Sequence, residues 1–205
     1  MKYVIVTLLV SIVATSAFAD DSDRLTTLEK RVKKLEERMA KQEVATAPAI
    51  ATAEAKQRVD QQRIKARERM HKDSSVYSRD QLREIESLYQ VANREWQSQE
   101  GKDSLKNLIE KFDKANRTGC ALLYLGQMSE VKEKEDYLKK AIDGFSDCYY
   151  GDGVQVGAYA RYRLAYYYKD NGQEEKAEEL FKEIISKYPG AINHKGRLLT
   201  DSIED

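Results

Sequence analysis

The stretch AYARYRLAYYYKDNGQEEKAEELFKEIISKYPGA, residues 158–191, decides the fold. Leu164, Ala165 and Tyr168 share one side of a first helix. Asn171-Gly172 signals a turn. Ala177 and Phe181 recur one helical turn apart on a second helix, and Pro189 stops it. Two short amphipathic helices joined by a tight turn pack as an antiparallel hairpin.

The same grammar continues upstream in a looser form. Leu125-Gly126 repeats the pattern of Leu164-Ala165, and Ala141 with Phe145 repeats that of Ala177 with Phe181, defining a unit over 119–150. Its internal connection, around Val131–Glu135, is longer. Leu108 and Phe112 mark a third, degenerate unit over 77–116. Helices are predicted across Val76–Trp96, from Leu105 to Phe112, and over Cys120–Glu130, Lys134–Phe145, Val156–Asp170 and Gln173–Lys187. A short terminal helix around Lys195–Ser202 is expected to cap the stack. The fold class is all-α, and residues 76–205 form one antiparallel helix stack.

Composition agrees. The chain has 205 residues with only 10 Gly and 2 Pro, so helices meet few breakers. Lys+Arg and Asp+Glu both number 35, so the net charge is zero, which argues against nucleic acid held by bulk charge.

The N-terminus is organised differently. Lys2 precedes the apolar run Val4–Val13, and Ala17-Phe18-Ala19 precedes Asp20. That is the layout of a cleavable signal peptide over residues 1–19. A membrane anchor is the alternative, but the apolar run is short and acidic residues follow it. The mature chain is expected to be soluble and exported.

Leu25, Leu28, Val32, Leu35 and Met39 then alternate spacings of three and four, the a and d positions of a heptad. Arg24, Arg31 and Arg38 fall at g, and Glu29, Glu36 and Glu43 at e. This spacing suits salt bridges between parallel helices. Residues 20–43 therefore read as a coiled-coil oligomerisation helix, dimeric or trimeric, with a lone helix packed on its own domain as the alternative.

Residues 44–55, VATAPAIATAEA, are small, weakly polar and interrupted by Pro48, and read as a linker. Residues 56–75 are basic and helical, with Lys56, Arg58, Arg63, Lys65, Arg67, Arg69 and Lys72 against Asp60 and Glu68. A solvated helix is the simpler reading of that stretch. Weak contact of residues 56–72 with an anionic surface is the functional one.

Cys120 begins one predicted helix and Cys148 follows the next, so antiparallel packing brings them near each other. In an oxidising compartment a disulfide between them is expected, with two buried thiols as the alternative. His71 and His194 show no zinc-ligand spacing with the cysteines. No nucleophile elbow, phosphate loop or zinc-protease helix is present in the sequence. No cofactor, metal or catalytic residue is expected, and the chain does not read as an enzyme.

The hairpin at 158–191 resembles the tetratricopeptide repeat, whose pattern is L-G-x-x-Y, then A-x-x-x-F, then P. Ala165 stands where Gly is usual, and Arg161 stands at the bulky first position. In that repeat class the first helix of each pair lines a concave groove. The resemblance assigns Tyr159, Tyr162, Tyr166 and Lys169 to the groove, with Leu123 and Gln127 beside them from the preceding repeat. Packing of the tyrosines in the core or beneath the cap is the alternative. Signal peptide, short coiled coil, linker and C-terminal repeats together are similar to the periplasmic cell division coordinators of the Tol-Pal system of Gram-negative bacteria. A broader class of exported repeat proteins shares the plan. The resemblance implies a periplasmic, non-catalytic adaptor that binds envelope proteins or their peptide segments. The alternatives are a structural or secretion-related repeat protein without a groove, or an accessory subunit of an envelope enzyme.

Overall fold

The computed structural model describes residues 21–96 and 98–203, with side chains from Thr27 onward apart from 40–51, 131 and 132. The expected signal peptide, and the Leu25 side chain, lie outside the described residues. The chain divides into two compact units, residues 1–51 and 52–205. Among the described residues all regular structure is helical, apart from two isolated β-bridges. No described helix is long and apolar enough to cross a membrane.

Helix α1 runs over Asp21–Asp73. Residues 44–55, expected as a linker, are instead helical backbone within it. The physical reason is their composition. Alternate positions from Ala45 to Ala55 are alanine, the strongest helix former, and they offset the one bond and the steric clash that Pro48 costs. In the first unit the heptad side chains of Leu28, Val32, Leu35 and Met39 are 42–67% exposed.

The second unit contains α2 (Arg79–Arg94), α3 (Gln99–Lys111), α4 (Asn116–Met128), α5 (Val131–Phe145), α6 (Val156–Asp170) and α7 (Glu174–Lys187). Ser78 starts α2 with a capping box, accepting from the Gln81 N–H while the Gln81 side chain accepts from the Ser78 N–H. Ser98 caps α3 through the Gly101 N–H. Helices α2 and α3, α4 and α5, and α6 and α7 pack as hairpins, and each hairpin packs on the next. Helix α4 also touches α2 and α6, so α2, α4 and α6 form one layer, with α3, α5 and α7 outside it. Between the layers lie fully buried Leu105, Leu108, Leu122, Leu125 and Leu138. Close approach of α5 to α4 depends on Gly126, where an added Cβ would sit 2.8 Å from two Leu138 side-chain carbons.

Arg161 explains its own departure from the repeat pattern. Its buried guanidinium donates to Glu183 at 2.6 Å, Ser146 Oγ at 3.1 Å and the Gly157 carbonyl at 3.0 Å. A polar clamp between α6 and α7 occupies the place of a large apolar side chain.

The second half of α1 belongs to this unit, which corrects the reading of 56–75 as a solvated helix. Gln62, Ala66 and Asp73 are buried. They follow helical spacing along one stripe, while Lys56, Arg63, Lys65, Arg67 and Lys72 stay on the exposed side. The stripe docks on the connections that lead out of α3, α5 and α7. Asp73 accepts from the Asn116 N–H at 2.8 Å. Arg69 pairs with Asp73 at 2.6 Å and Asp147 at 3.0 Å. Gln62 donates to the Gly190 carbonyl at 2.7 Å.

The expected terminal helix at Lys195–Ser202 is also corrected. Ile192 and Leu198 form an antiparallel bridge around a turn, and only Thr200–Ser202 coils, as a 3₁₀ turn. The reason is local chemistry. Gly196 has φ +75°, and the Asn193 side chain accepts from the N–H groups of Lys195 and Arg197.

Candidate functional site

Helix α2 presents Glu86, Tyr89 and Asn93 at i, i+3 and i+7, a single face. Helix α4 presents Arg117, Tyr124 and Gln127 at i, i+7 and i+10, again one face. These two faces, the Tyr150–Asp152 turn and His194 enclose a cavity of about 430 Å³. Gln127 also borders a neighbouring cavity of about 220 Å³ lined by Trp96, Lys102 and Met128.

Arg117 organises the floor. Its Nε and Nη2 donate to the two Glu86 carboxylate oxygens at 2.8 and 3.2 Å. Its guanidinium carbon lies 4.4 Å above the centre of the Tyr89 ring. Burial acts to raise the Glu86 pKa, but donors from Gln90 and Arg117 outweigh it and hold the carboxyl below its ordinary range. Burial pushes the Tyr89 and Tyr150 hydroxyls far up, so both stay neutral. Tyr150 donates its hydroxyl to the buried Cys120 carbonyl at 3.0 Å.

The rim carries a histidine–carboxylate contact. His194 Nδ1 lies 2.7 Å from Asp152 Oδ2. Burial opposes ionisation of Asp152, yet the His194 contact and the Val154 N–H hold its pKa below the usual value. The His194 ring meets Tyr150 and Tyr159 edge-on at 5.1 and 5.3 Å. Among the described residues no group of three His, Cys, Asp or Glu side chains could hold a metal ion. The cavity thus brings together amides, ring faces, the Arg117–Glu86 ion pair and the Asp152–His194 contact.

The residues assigned to a groove from sequence separate. Gln127 lines the cavity. Leu123 is fully buried in the core and has no surface for a partner, a correction. Tyr159, Tyr162 and Tyr166 form a ladder outside the cavity, with centroid spacings of 5.8 and 4.8 Å, ending edge-on against Phe181 at 5.3 Å. Tyr159, Tyr162 and Ile203 pack against the buried cluster of Ala158, Ile184, Ala191 and Leu199, and Tyr166 donates to the Ser202 carbonyl at 2.6 Å. The structure thus places the ladder beneath the C-terminal segment, the second of the two expected roles, because that segment returns across α6. Lys169 is exposed, its Nζ 6.0 Å from the Tyr166 ring centre.

Cys120 and Cys148 are free thiols, both buried, in place of the expected disulfide. The sulfurs turn toward different acceptors. Cys120 donates to the Tyr149 carbonyl at 3.3 Å, while Cys148 Sγ lies 3.9 Å from Asp147 Oδ1. Burial pushes both thiols up, Cys148 to about 12.

Sequence reasoning missed Tyr89, Asn93, Arg117, Tyr124, Asp152 and His194. The i, i+3, i+7 order of Glu86, Tyr89 and Asn93 was a usable signal. Nothing in the sequence joined Asp152 to His194. Comparison with protein-family models, curated proteins and solved structures returned no match.

Proposed function

We propose that this chain is an exported, non-catalytic adaptor of the cell envelope that holds an extended segment of a partner protein between α2, α4 and the C-terminal turn. The observation that carries the reading is the cavity, which collects amides, rings, the Arg117–Glu86 ion pair and the Asp152–His194 contact from three separate parts of the fold. The alternation of layers supports a tetratricopeptide-like superhelix, in which α2, α4 and α6 are the groove helices. The exposed Leu28, Val32, Leu35 and Met39 stripe supports self-association through the first half of α1. On this reading the protein works in the periplasm, in the manner of Tol-Pal division coordinators. Neighbouring Tol-Pal genes are the observation that separates that role from other envelope assembly.

A photo-crosslinking residue placed at Asn93 or Gln127 in living cells tests the proposal. Both positions are expected to trap the same partner segment, identified by mass spectrometry, and the exposed outer-layer position Lys182 is not. Adducts distributed equally over all three positions would favour the second reading, a structural repeat protein without a groove. That reading draws on the tyrosine ladder, which the chain covers with its own C-terminus.

A further inference from the structure

We infer that the cavity selects a peptide segment carrying an aromatic side chain, which lies against the Arg117 guanidinium between Tyr124 and His194. The inference rests on the adaptor reading and names the occupant of its groove.

Several polar groups lining the cavity are already engaged within the chain. The charge of Arg117 is matched by Glu86, and one Asp152 carboxylate oxygen is taken up by the His194 ring nitrogen at 2.7 Å. The Tyr150 hydroxyl is given to the Cys120 carbonyl, so Tyr150 offers ring surface. The Gln127 Nε2 donates to the Leu123 carbonyl at 3.3 Å, which leaves the amide oxygen as an acceptor.

Planar surface remains. Arg117 is held flat by two bonds to Glu86 and by the Tyr89 ring beneath it, and its side chain is 18% exposed where it lines the cavity. A guanidinium fixed in this way presents a second face on which another ring stacks. Tyr124, two turns along α4, and His194 line the same cavity. Asn93 and Gln127 line the same cavity, and their amide oxygens are acceptors for backbone N–H groups.

Size and continuity favour a peptide over a compact molecule. The cavity of about 430 Å³ holds a large side chain with its backbone, and Gln127 joins it to the second cavity at Trp96. Trp96 is 51% exposed and gives the chain a second apolar contact beyond the slot.

The test is titration of the isotope-labelled full chain with two blocked tripeptides, acetyl-Ala-Tyr-Ala-amide and acetyl-Ala-Leu-Ala-amide, followed by two-dimensional amide NMR. The tyrosine peptide is expected to shift amides of residues 150–152 and 194 and to bind several-fold tighter. Arg117→Lys keeps the charge and loses the plane. It should weaken the tyrosine peptide by about 2- to 30-fold, the worth of one such stacked contact, and leave the leucine peptide unchanged. Asn93→Ala lies on the exposed rim and should weaken both peptides alike, which keeps the test decisive if Arg117→Lys unfolds. Equal binding of the two peptides in this cavity overturns the aromatic selection and leaves the adaptor reading standing. No cavity shifts with either peptide at millimolar concentration overturns both.

Discussion

Replacing Gly153 with alanine tests how the second half of α1 packs within the second unit. Gly153 has φ +98°, a conformation that costs an L-residue about 1–2 kcal/mol. An added Cβ would lie 2.9 Å from Gln62 Cβ, 3.1 Å from the Arg63 nitrogen and 3.1 Å from the Gln62 carbonyl carbon. Two of those atoms are helix backbone, so relief requires α1 to move. Overpacking of this kind costs about 1–3 kcal/mol. Gly172 supplies the control. Its φ is +70°, and an added Cβ there meets nothing within 4 Å. Gly172→Ala carries the dihedral cost alone, and the smaller entropy of the unfolded alanine chain offsets part of it. The expected losses are about 1 kcal/mol for Gly172→Ala and roughly 2–4 kcal/mol for Gly153→Ala. In a chain of this size they lower Tm by about 3 °C and roughly 6–12 °C. Urea titration followed by circular dichroism measures both. Equal losses would refute the packing of α1 against the 149–155 turn.

Asn116→Ala should cost about 2–4 kcal/mol in the same titration. The fully buried Asn116 side chain bonds both the N–H and the carbonyl of Tyr149 at 2.8 Å, and its removal strands both groups. Cys120 and Cys148 should resist a thiol reagent in the folded protein at neutral pH and both react after unfolding without reductant. An unreactive pair in the unfolded chain would show a disulfide instead. Glu86, Asp152 and Glu183 are all held below their ordinary pKa in the fold, so their contribution to stability is complete at neutral pH. It should disappear as the pH falls through about 4 and below. Denaturation midpoints should therefore drop toward pH 3, and Glu183→Gln should flatten the drop. Light scattering should give a multiple of the chain mass for the full protein and the single-chain mass for a chain beginning at Thr52. Equal association states would remove the coiled-coil proposal.

Much of the helix stack was legible in the sequence. The range predicted for α6 coincides with the observed Val156–Asp170, and that for α7 differs by one residue. These are strongly periodic segments between clear stop signals. Elements governed by weaker signals moved. Pro48 reads as a break, yet its alanine neighbours carry the helix through. The 195–202 segment reads as a cap helix, yet Asn193 and Gly196 make a turn, because one side chain satisfies two backbone N–H groups there. The basic stretch hides an inner stripe made of Gln62, Ala66 and Asp73, which no count of hydrophobic residues detects. Its partners are backbone and charged groups.

The sequence by itself determined the paired helices of the 119–187 region and their inward faces, because helical periodicity is local and a few residues carry it. It also held the charge order of the heptad and the fine pattern of the 158–191 hairpin. Only the tertiary structure decided which surface is open. Three tyrosines that share a helix face look alike in sequence whether solvent or a returning chain covers them, and here the C-terminal segment covers them. The cavity floor pairs residues 31 positions apart and its rim pairs residues 42 apart. Such contacts follow from how hairpins stack and where their turns fall, and no spacing along the chain encodes them.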